Sequence, residues 1–212
     1  MSIEYCDVKT HYDALVDEGN DPVYDGEELR RYMDRWDGET FLEKLALGHT
    51  RNKDVFEIGV GTGRLAVRTA PLSRSFTGID LSPKSVKRAG ENLVNFAGVT
   101  DAVLICGDFL SYETDAEYDV VYSSLTFMHI EDKKAAISAA AKLVRPGGRF
   151  VLSISKSTEL FLKYGDRTLS LYPDSLAATL SFMRAAGLSV SVTGTENAHI
   201  TVGEKKRVES GE

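Results

Sequence analysis

From residue 54 onward, short apolar runs alternate with longer stretches in which apolar residues return every third or fourth position. The short runs predict β-strands and the longer stretches predict amphipathic helices. Strands are expected at 54–58, 75–80, 102–106, 118–123 and 149–154. Helices are expected at 62–70, from Pro83 to about 96, at 131–144 and at 176–186. Ser82-Pro83 supplies an N-cap and a proline at the first helical position. Pro71, Pro146-Gly147-Gly148 and Gly187 read as helix stops. Two further strands, 188–193 and 198–202, flank Gly194-Thr195-Glu196-Asn197, a hairpin turn. Strands alternating with helices imply a mainly parallel sheet covered on both faces. The terminal hairpin must be antiparallel, because four residues cannot make a crossover.

The first 47 residues follow another pattern. Tyr5, Tyr12, Tyr24, Tyr32, Trp36 and Phe41 are scattered among many acids, and short helices are expected at 27–36 and 41–47. Asp21-Pro22 and Asp37-Gly38 are breaks, and 48–53 is a polar connection. The expected organisation is one domain over 1–212: a helical N-terminal lid (1–47), a core (48–204) and a charged tail (205–212). Residues 155–173 fit no element of the repeating pattern.

Composition narrows the classes. The formal charge is −7, with 42% hydrophobic and 27% charged residues. An acidic chain whose densest basic cluster is Lys205-Lys206-Arg207 is a poor nucleic-acid binder, and that cluster reads as a solvated end. No apolar run approaches the roughly 20 residues of a membrane span. No basic-then-apolar leader opens the sequence, so a cytoplasmic protein is expected. Cys6 and Cys106 form no CxxC, and reduced thiols are expected, Cys106 packed rather than reactive. His11, His49, His129 and His199 show no metal-ligand spacing, so no metal is expected. Neither a P-loop nor a GxSxG turn occurs. The oligomeric state cannot be read from the residues.

The chemistry concentrates at Val55-Phe56-Glu57-Ile58-Gly59-Val60-Gly61-Thr62-Gly63-Arg64. This is a strand carrying an acid, a turn with glycine at every second position, and a helix. Glycine removes the side chain that would hold a ligand away from the backbone. A pyrophosphate-binding GxGxxG turn would need glycine where Arg64 stands, and Glu57 would repel two phosphates. Asp80 ends the next strand, about where a nucleoside's ribose hydroxyls need an acceptor. In an open α/β sheet, ligands sit beyond the carboxyl ends of the strands, at the switch in strand order.

Together these residues resemble the first motif, and the acid that follows it, of the class I S-adenosylmethionine (SAM) methyltransferases. Leu143-Val144-Arg145-Pro146-Gly147-Gly148-Arg149-Phe150 resembles that family's turn into strand five. The resemblance runs over about 54–202. It implies a Rossmann-like, doubly wound, seven-stranded sheet whose last strand inserts antiparallel beside the sixth, and it implies SAM as cofactor. By analogy, Glu57 and the turn Gly59, Val60, Gly61 and Gly63 receive the amine-bearing end of SAM. Asp80 receives the ribose and Leu81 an adenine face. Asp108 and Phe109 receive the adenine amino group and ring. Ser123 and Ser124, after strand four, line the methionine half. His11-Tyr12-Asp13 resembles a Tyr-Asp pair carried on a helix over the cofactor, with Tyr12 at the sulfonium or carboxylate side.

The acceptor is less legible. The segment after strand four lacks the Asn/Asp-Pro-Pro-aromatic tetrad of enzymes that methylate base or glutamine amines. With the acidic charge, this favours a small-molecule acceptor with an O, N or C nucleophile. Tyr24 and Trp36 in the N-terminal segment, and Lys156, Tyr164 and Arg167 after strand five, are candidate acceptor contacts. His129 is either a catalytic base or a histidine that packs at a helix start, because an already nucleophilic acceptor needs no base. A non-catalytic SAM-binding regulator and an NAD(P)-dependent oxidoreductase are the alternatives. The only Tyr-x-x-x-Lys pair, Tyr5 to Lys9, precedes every strand.

Overall fold

The computed structural model describes residues 5–23, 27–45 and 51–207. Three helices come first: α1 (Val8–Asp17), α2 (Glu27–Asp34) and α3 (Gly38–Leu45). Then follow β1 (Asp54–Ile58), a short α4 (Ala66–Thr69), β2 (Ser75–Asp80), α5 (Pro83–Ala97), β3 (Val103–Cys106) and β4 (Tyr118–Ser123). The chain continues through α6 (Lys133–Leu143), β5 (Val144–Ser155), β6 (Phe161–Tyr164), β7 (Arg167–Ser170), α7 (Leu176–Ala185), β8 (Leu188–Gly194) and β9 (Ala198–Lys205).

Among the described residues, seven strands form one sheet in the order β3-β2-β1-β4-β5-β9-β8. The first five pair in parallel, and β9 runs antiparallel between β5 and β8. This is the doubly wound, mainly parallel α/β architecture with an antiparallel C-terminal hairpin. Strand order reverses at β1 and β4, so the two ends of the crevice after Ile58 and Ser123 face each other.

Alternation along the strands feeds two cores. Phe56 and Ile58 pack with Phe150, Leu152 and Ile154 beneath α6 and α7. Val55, Phe76, Val120, Tyr122 and Val151 point the other way, toward Leu65, Ala89 and Leu93. Phe41 and Leu45 are wholly buried in this second core, and the Phe41 ring meets Tyr122 edge-on at 6.2 Å. So α3 belongs to the core, whereas the sequence placed all of 1–47 in a lid.

Other differences have local causes. The helix expected at 62–70 is helical only from Ala66, because the turn runs on through Gly63. Ala70–Leu72 tightens into a 3₁₀ turn that includes Pro71. The strand expected to start at 149 is already paired at Val144, and its register shifts before Arg149. Residues 155–173 contain a hairpin, β6–β7. Cys106 is exposed, not packed, because β3 is the edge strand. Lys205 is not tail: it closes β9, and its ammonium caps α6 by donating to the carbonyls of Ala141 (3.2 Å) and Val144 (2.6 Å). Helix positions 46–47, the connection 48–50, Tyr24 and the tail beyond 207 lie outside the described residues.

Candidate functional site

A cavity of about 820 Å³ opens at the carboxyl ends of β1–β4, roofed by α1, α2 and the β6–β7 hairpin. Its floor is the glycine turn. At Gly59 φ is +76°, and an added Cβ would lie 2.0 Å from Thr126 Oγ1. Here glycine is needed so that two segments can touch. At Gly61 φ is +54° and an added Cβ would meet open space. Here the bare backbone is presented to the cavity, and its N–H donates to Asp80 Oδ2 at 2.8 Å. Ser82 N–H donates to Oδ1 at 2.9 Å, so Asp80 is fixed at the end of β2. Burial pushes the Asp80 carboxyl up, and these two N–H donors oppose the shift.

Glu57 is buried on β1 and reaches the cavity wall. Tyr122, its parallel neighbour on β4, donates to Oε2 at 2.8 Å. Burial pushes the Glu57 carboxyl up to about 8, against that hydrogen bond and the nearby Arg64 charge. Arg64 lines the cavity and forks onto Asp37, with contacts of 3.3 and 3.0 Å, and donates to Ser124 Oγ at 2.9 Å. The Ser124 hydroxyl in turn donates to Asp37. The break before α3 is thereby tied to the end of β4.

Helix α1 lays Val8, His11, Tyr12, Leu15 and Val16 along the cavity, the i, i+3, i+4, i+7, i+8 face of a helix. Its edges are tied down. Asp13 Oδ1 accepts from Ser82 Oγ at 2.6 Å and from Lys84 N–H at 3.2 Å, at the start of α5. Arg167 pairs with Glu18 at 2.8 Å, and Cys6 N–H donates to Thr168 O at 2.8 Å. The Tyr12 hydroxyl lies 2.9 Å from His129 Nε2 on the cavity wall. Burial pushes the Tyr12 phenol up and pulls His129 down to about 4, with His11 and Lys133 adding to the latter. Both groups are therefore uncharged at neutral pH.

Of the residues singled out in the sequence, Tyr12, Glu57, Gly59, Val60, Gly61, Asp80, Leu81, Asp108, Phe109, Ser124, His129 and Tyr164 lie on the cavity wall. Five do not. Gly63 faces α5, where an added Cβ would lie 3.5 Å from Ala89 Cα, and Ser123 is fully buried, donating to Ile58 O at 2.9 Å. Trp36 gives its backbone carbonyl to Thr195 Oγ1 at 2.6 Å, in the β8–β9 turn. Lys156 is engaged by the carbonyls of Thr195 and Glu196 in the β8–β9 turn. Arg167 sits 5.4 Å over the Tyr164 ring from outside. Sequence reasoning missed Tyr32, Met33 and Leu162 on the wall, which also takes in Leu125, Thr126 and Tyr172 from the segments after strands four and five. Leu125 has φ +54°, a strained value for leucine, which no pattern of side chains reveals.

A profile of the family described as "Methyltransferase domain" matches residues 56–152. An uncharacterized methyltransferase of Bacillus thuringiensis is 30% identical over 152 residues, which cover 68% of this chain and 67% of that protein. The chain belongs to the methyltransferase family. A ubiquinone biosynthesis O-methyltransferase of Thiobacillus denitrificans is 30% identical over 141 residues, 65% of this chain; the match spans only 61% of that relative's length. Among solved folds, magnesium protoporphyrin IX methyltransferase from Synechocystis with bound SAM superposes with a TM-score of 0.73. It is 19% identical, and the match covers 94% of this chain and 95% of that one. The N-methyltransferase NodS from Bradyrhizobium japonicum, in complex with S-adenosylhomocysteine, gives 0.68 at 17% identity, over 92% and 97% of the two chains. Those two likenesses concern the fold. The antiparallel insertion of β9 beside β8 is the one the methyltransferase resemblance implied.

Proposed function

We propose that this methyltransferase-family protein moves a methyl group from SAM to a small-molecule nucleophile. One observation carries the reading: a backbone turn bare at Gly61, open to a cavity, with a carboxyl on each side, the buried Glu57 and the half-buried Asp80. Those residues fit the cofactor. Asp80, held by two backbone N–H groups, presents acceptor oxygens to the ribose hydroxyls. Glu57 offers a negative charge to the cationic amine end, and the Gly59–Gly61 backbone lets that end lie close. Leu81 and Phe109 flank the adenine, and Asp108 accepts from its amino group. Ser124, fixed by Arg64 and Asp37, borders the methionine half. When bound, SAM supplies a methyl group on a sulfonium, a carbon already activated for in-line attack. The chain's own share is alignment and exclusion of water, which account for much of the rate in such a displacement. Tyr12, His129 and Tyr164 stand on the acceptor side.

No helix among the described residues is long and apolar enough to cross a membrane. A cytoplasmic setting suits the two unpaired thiols.

Titration calorimetry tests the reading. SAM and S-adenosylhomocysteine should bind at micromolar level, NADH should not, and Asp80→Ala should abolish SAM binding. Unchanged SAM affinity in Asp80→Ala would sink the proposal. Release of S-adenosylhomocysteine in the presence of an acceptor library separates turnover from binding alone.

A further inference from the structure

The wall opposite the glycine turn is built from rings. Tyr164 meets His11 at 5.7 Å and 82°, His11 meets Tyr12 at 5.2 Å and 85°, and Tyr12 meets His129 at 5.5 Å and 83°. Four rings thus run edge-to-face along one side of the cavity. This is the arrangement in which the positive edge of one ring lies on the negative face of the next. The last bond of the run is polar: the Tyr12 phenol reaches His129 Nε2 at 2.9 Å.

We propose that the methyl acceptor is an uncharged aromatic compound that continues this run, and that its phenol or arylamine group hydrogen-bonds with His129 Nε2. This rests on the methyltransferase reading and specifies its substrate class. The chain itself demonstrates the contact, because Tyr12 is a phenol already seated at Nε2. That nitrogen makes one hydrogen bond in either neutral tautomer, so the acceptor replaces Tyr12 there. The other ring nitrogen, Nδ1, is enclosed and has no hydrogen-bond partner among the described residues, which leaves Nε2 as the working atom. Charge selects in the same direction. Among the described residues lining the cavity, Arg64 is the one lysine or arginine, and it is engaged by Asp37 and Ser124 beside the glycine turn. Both wall histidines are kept neutral by burial, helped by Arg167 at His11 and by His11 and Lys133 at His129. A carboxylate or phosphate on the acceptor would be stripped of water with no lysine or arginine among the described residues of that wall to meet it. Val8, Leu15 and Leu162 complete an apolar surround.

The test uses the full chain loaded with S-adenosylhomocysteine for binding, and with methyl-labelled SAM for turnover. The probes are naphthol, naphthylamine, hydroxynaphthoate and decahydronaphthol. Naphthol or naphthylamine should bind and be methylated with kcat/KM at least tenfold above the carboxylated and the saturated compounds; which of the two wins identifies the donor group. His129→Leu should raise the acceptor KM at least tenfold with SAM affinity unchanged. Tyr12→Phe, which removes the competing hydroxyl, should lower it. Equal or better use of hydroxynaphthoate or decahydronaphthol overturns the proposal, as does failure of both uncharged aromatics to bind. Loss of SAM binding by the unaltered protein would instead defeat the underlying methyltransferase reading.

Discussion

Tyr122 donates to Oε2 of Glu57 at 2.8 Å across the β1–β4 pair, inside the second core and at the edge of the cavity. A carboxyl in that position is hydrogen-bonded yet deprived of water, and burial dominates. In the ligand-free protein Glu57 titrates near 8, above its ordinary 4.5. An acid shifted up stabilises the fold fully below about 4.5, and that contribution is lost as the pH rises through about 8. A cation binding beside Glu57 requires the ionised form, so binding releases a proton at neutral pH. SAM affinity should therefore climb between pH 6 and 8, by up to about tenfold per pH unit, and level off above. Calorimetry in buffers of different ionisation enthalpy measures the proton directly. Glu57→Gln should bind SAM weakly with a flat pH profile; a flat profile in the parent protein would count against this role for Glu57.

Gly59 and Gly61 should fail differently when replaced by alanine. At Gly59 the new methyl collides with Thr126, and the positive φ adds strain, so the fold itself suffers. The strain alone costs about 1–3 kcal/mol. At Gly61 the methyl enters open cavity. Its backbone strain costs roughly 1–2 kcal/mol, but the larger effect is on the ligand. Urea unfolding and SAM titration on the two variants should separate loss of stability from loss of affinity. Trimming Thr126 to glycine should rescue part of the Gly59→Ala defect and none of the Gly61→Ala defect.

Lys133 holds the acceptor wall together. Its ammonium, largely enclosed, donates to the carbonyls of Phe127 and Tyr172 and lies 3.0 Å from the buried Asp174 carboxylate. Those carbonyls belong to the turn bearing His129 and to the segment bearing Tyr172. Lys133→Met should cost about 3 kcal/mol by stranding Asp174, and should raise the acceptor KM with SAM affinity unchanged. The double variant with Asp174→Asn should recover stability, because no bare charge remains, but should not recover KM. Recovery of both would reduce Lys133 to a purely structural role.

Asp37 and Arg64 are another buried pair, with side chains 1% and 15% exposed. Asp37→Ala should lower stability by about 3 kcal/mol and release Ser124 as well. A double-mutant cycle with Arg64→Met checks whether the loss belongs to the pair.

Much of the fold is legible in the sequence itself. Ser82 caps α5 with Pro83 at its first position, and strands β1, β2 and β4 span the expected residues. Those elements announce themselves because caps, prolines and buried apolar runs are local signals. The β6–β7 hairpin does not. All four residues of β6 are exposed, so no alternation of apolar and polar positions marks it. The roof of the cavity was harder still. Tyr12 and His129 are 117 positions apart, and Asp37 and Arg64 meet only because α3 packs into the core. Of the two aromatics the sequence offers on the acceptor side, Tyr24 lies outside the described residues and Trp36 is off the cavity wall, where α2 places Tyr32 and Met33 instead. A helix in an acidic segment rich in aromatics carries too weak a pattern to fix its rotation.

The sheet has a consequence for the order in which the molecule is made. β9 is interior, hydrogen-bonded on both sides, yet it follows every other strand in the sheet. While the polypeptide is emerging from the ribosome, the flank of β5 that β9 will cover stays unpaired, and β8 has nothing to join. The nascent chain therefore keeps an open strand edge on β5 until β9 has emerged and paired.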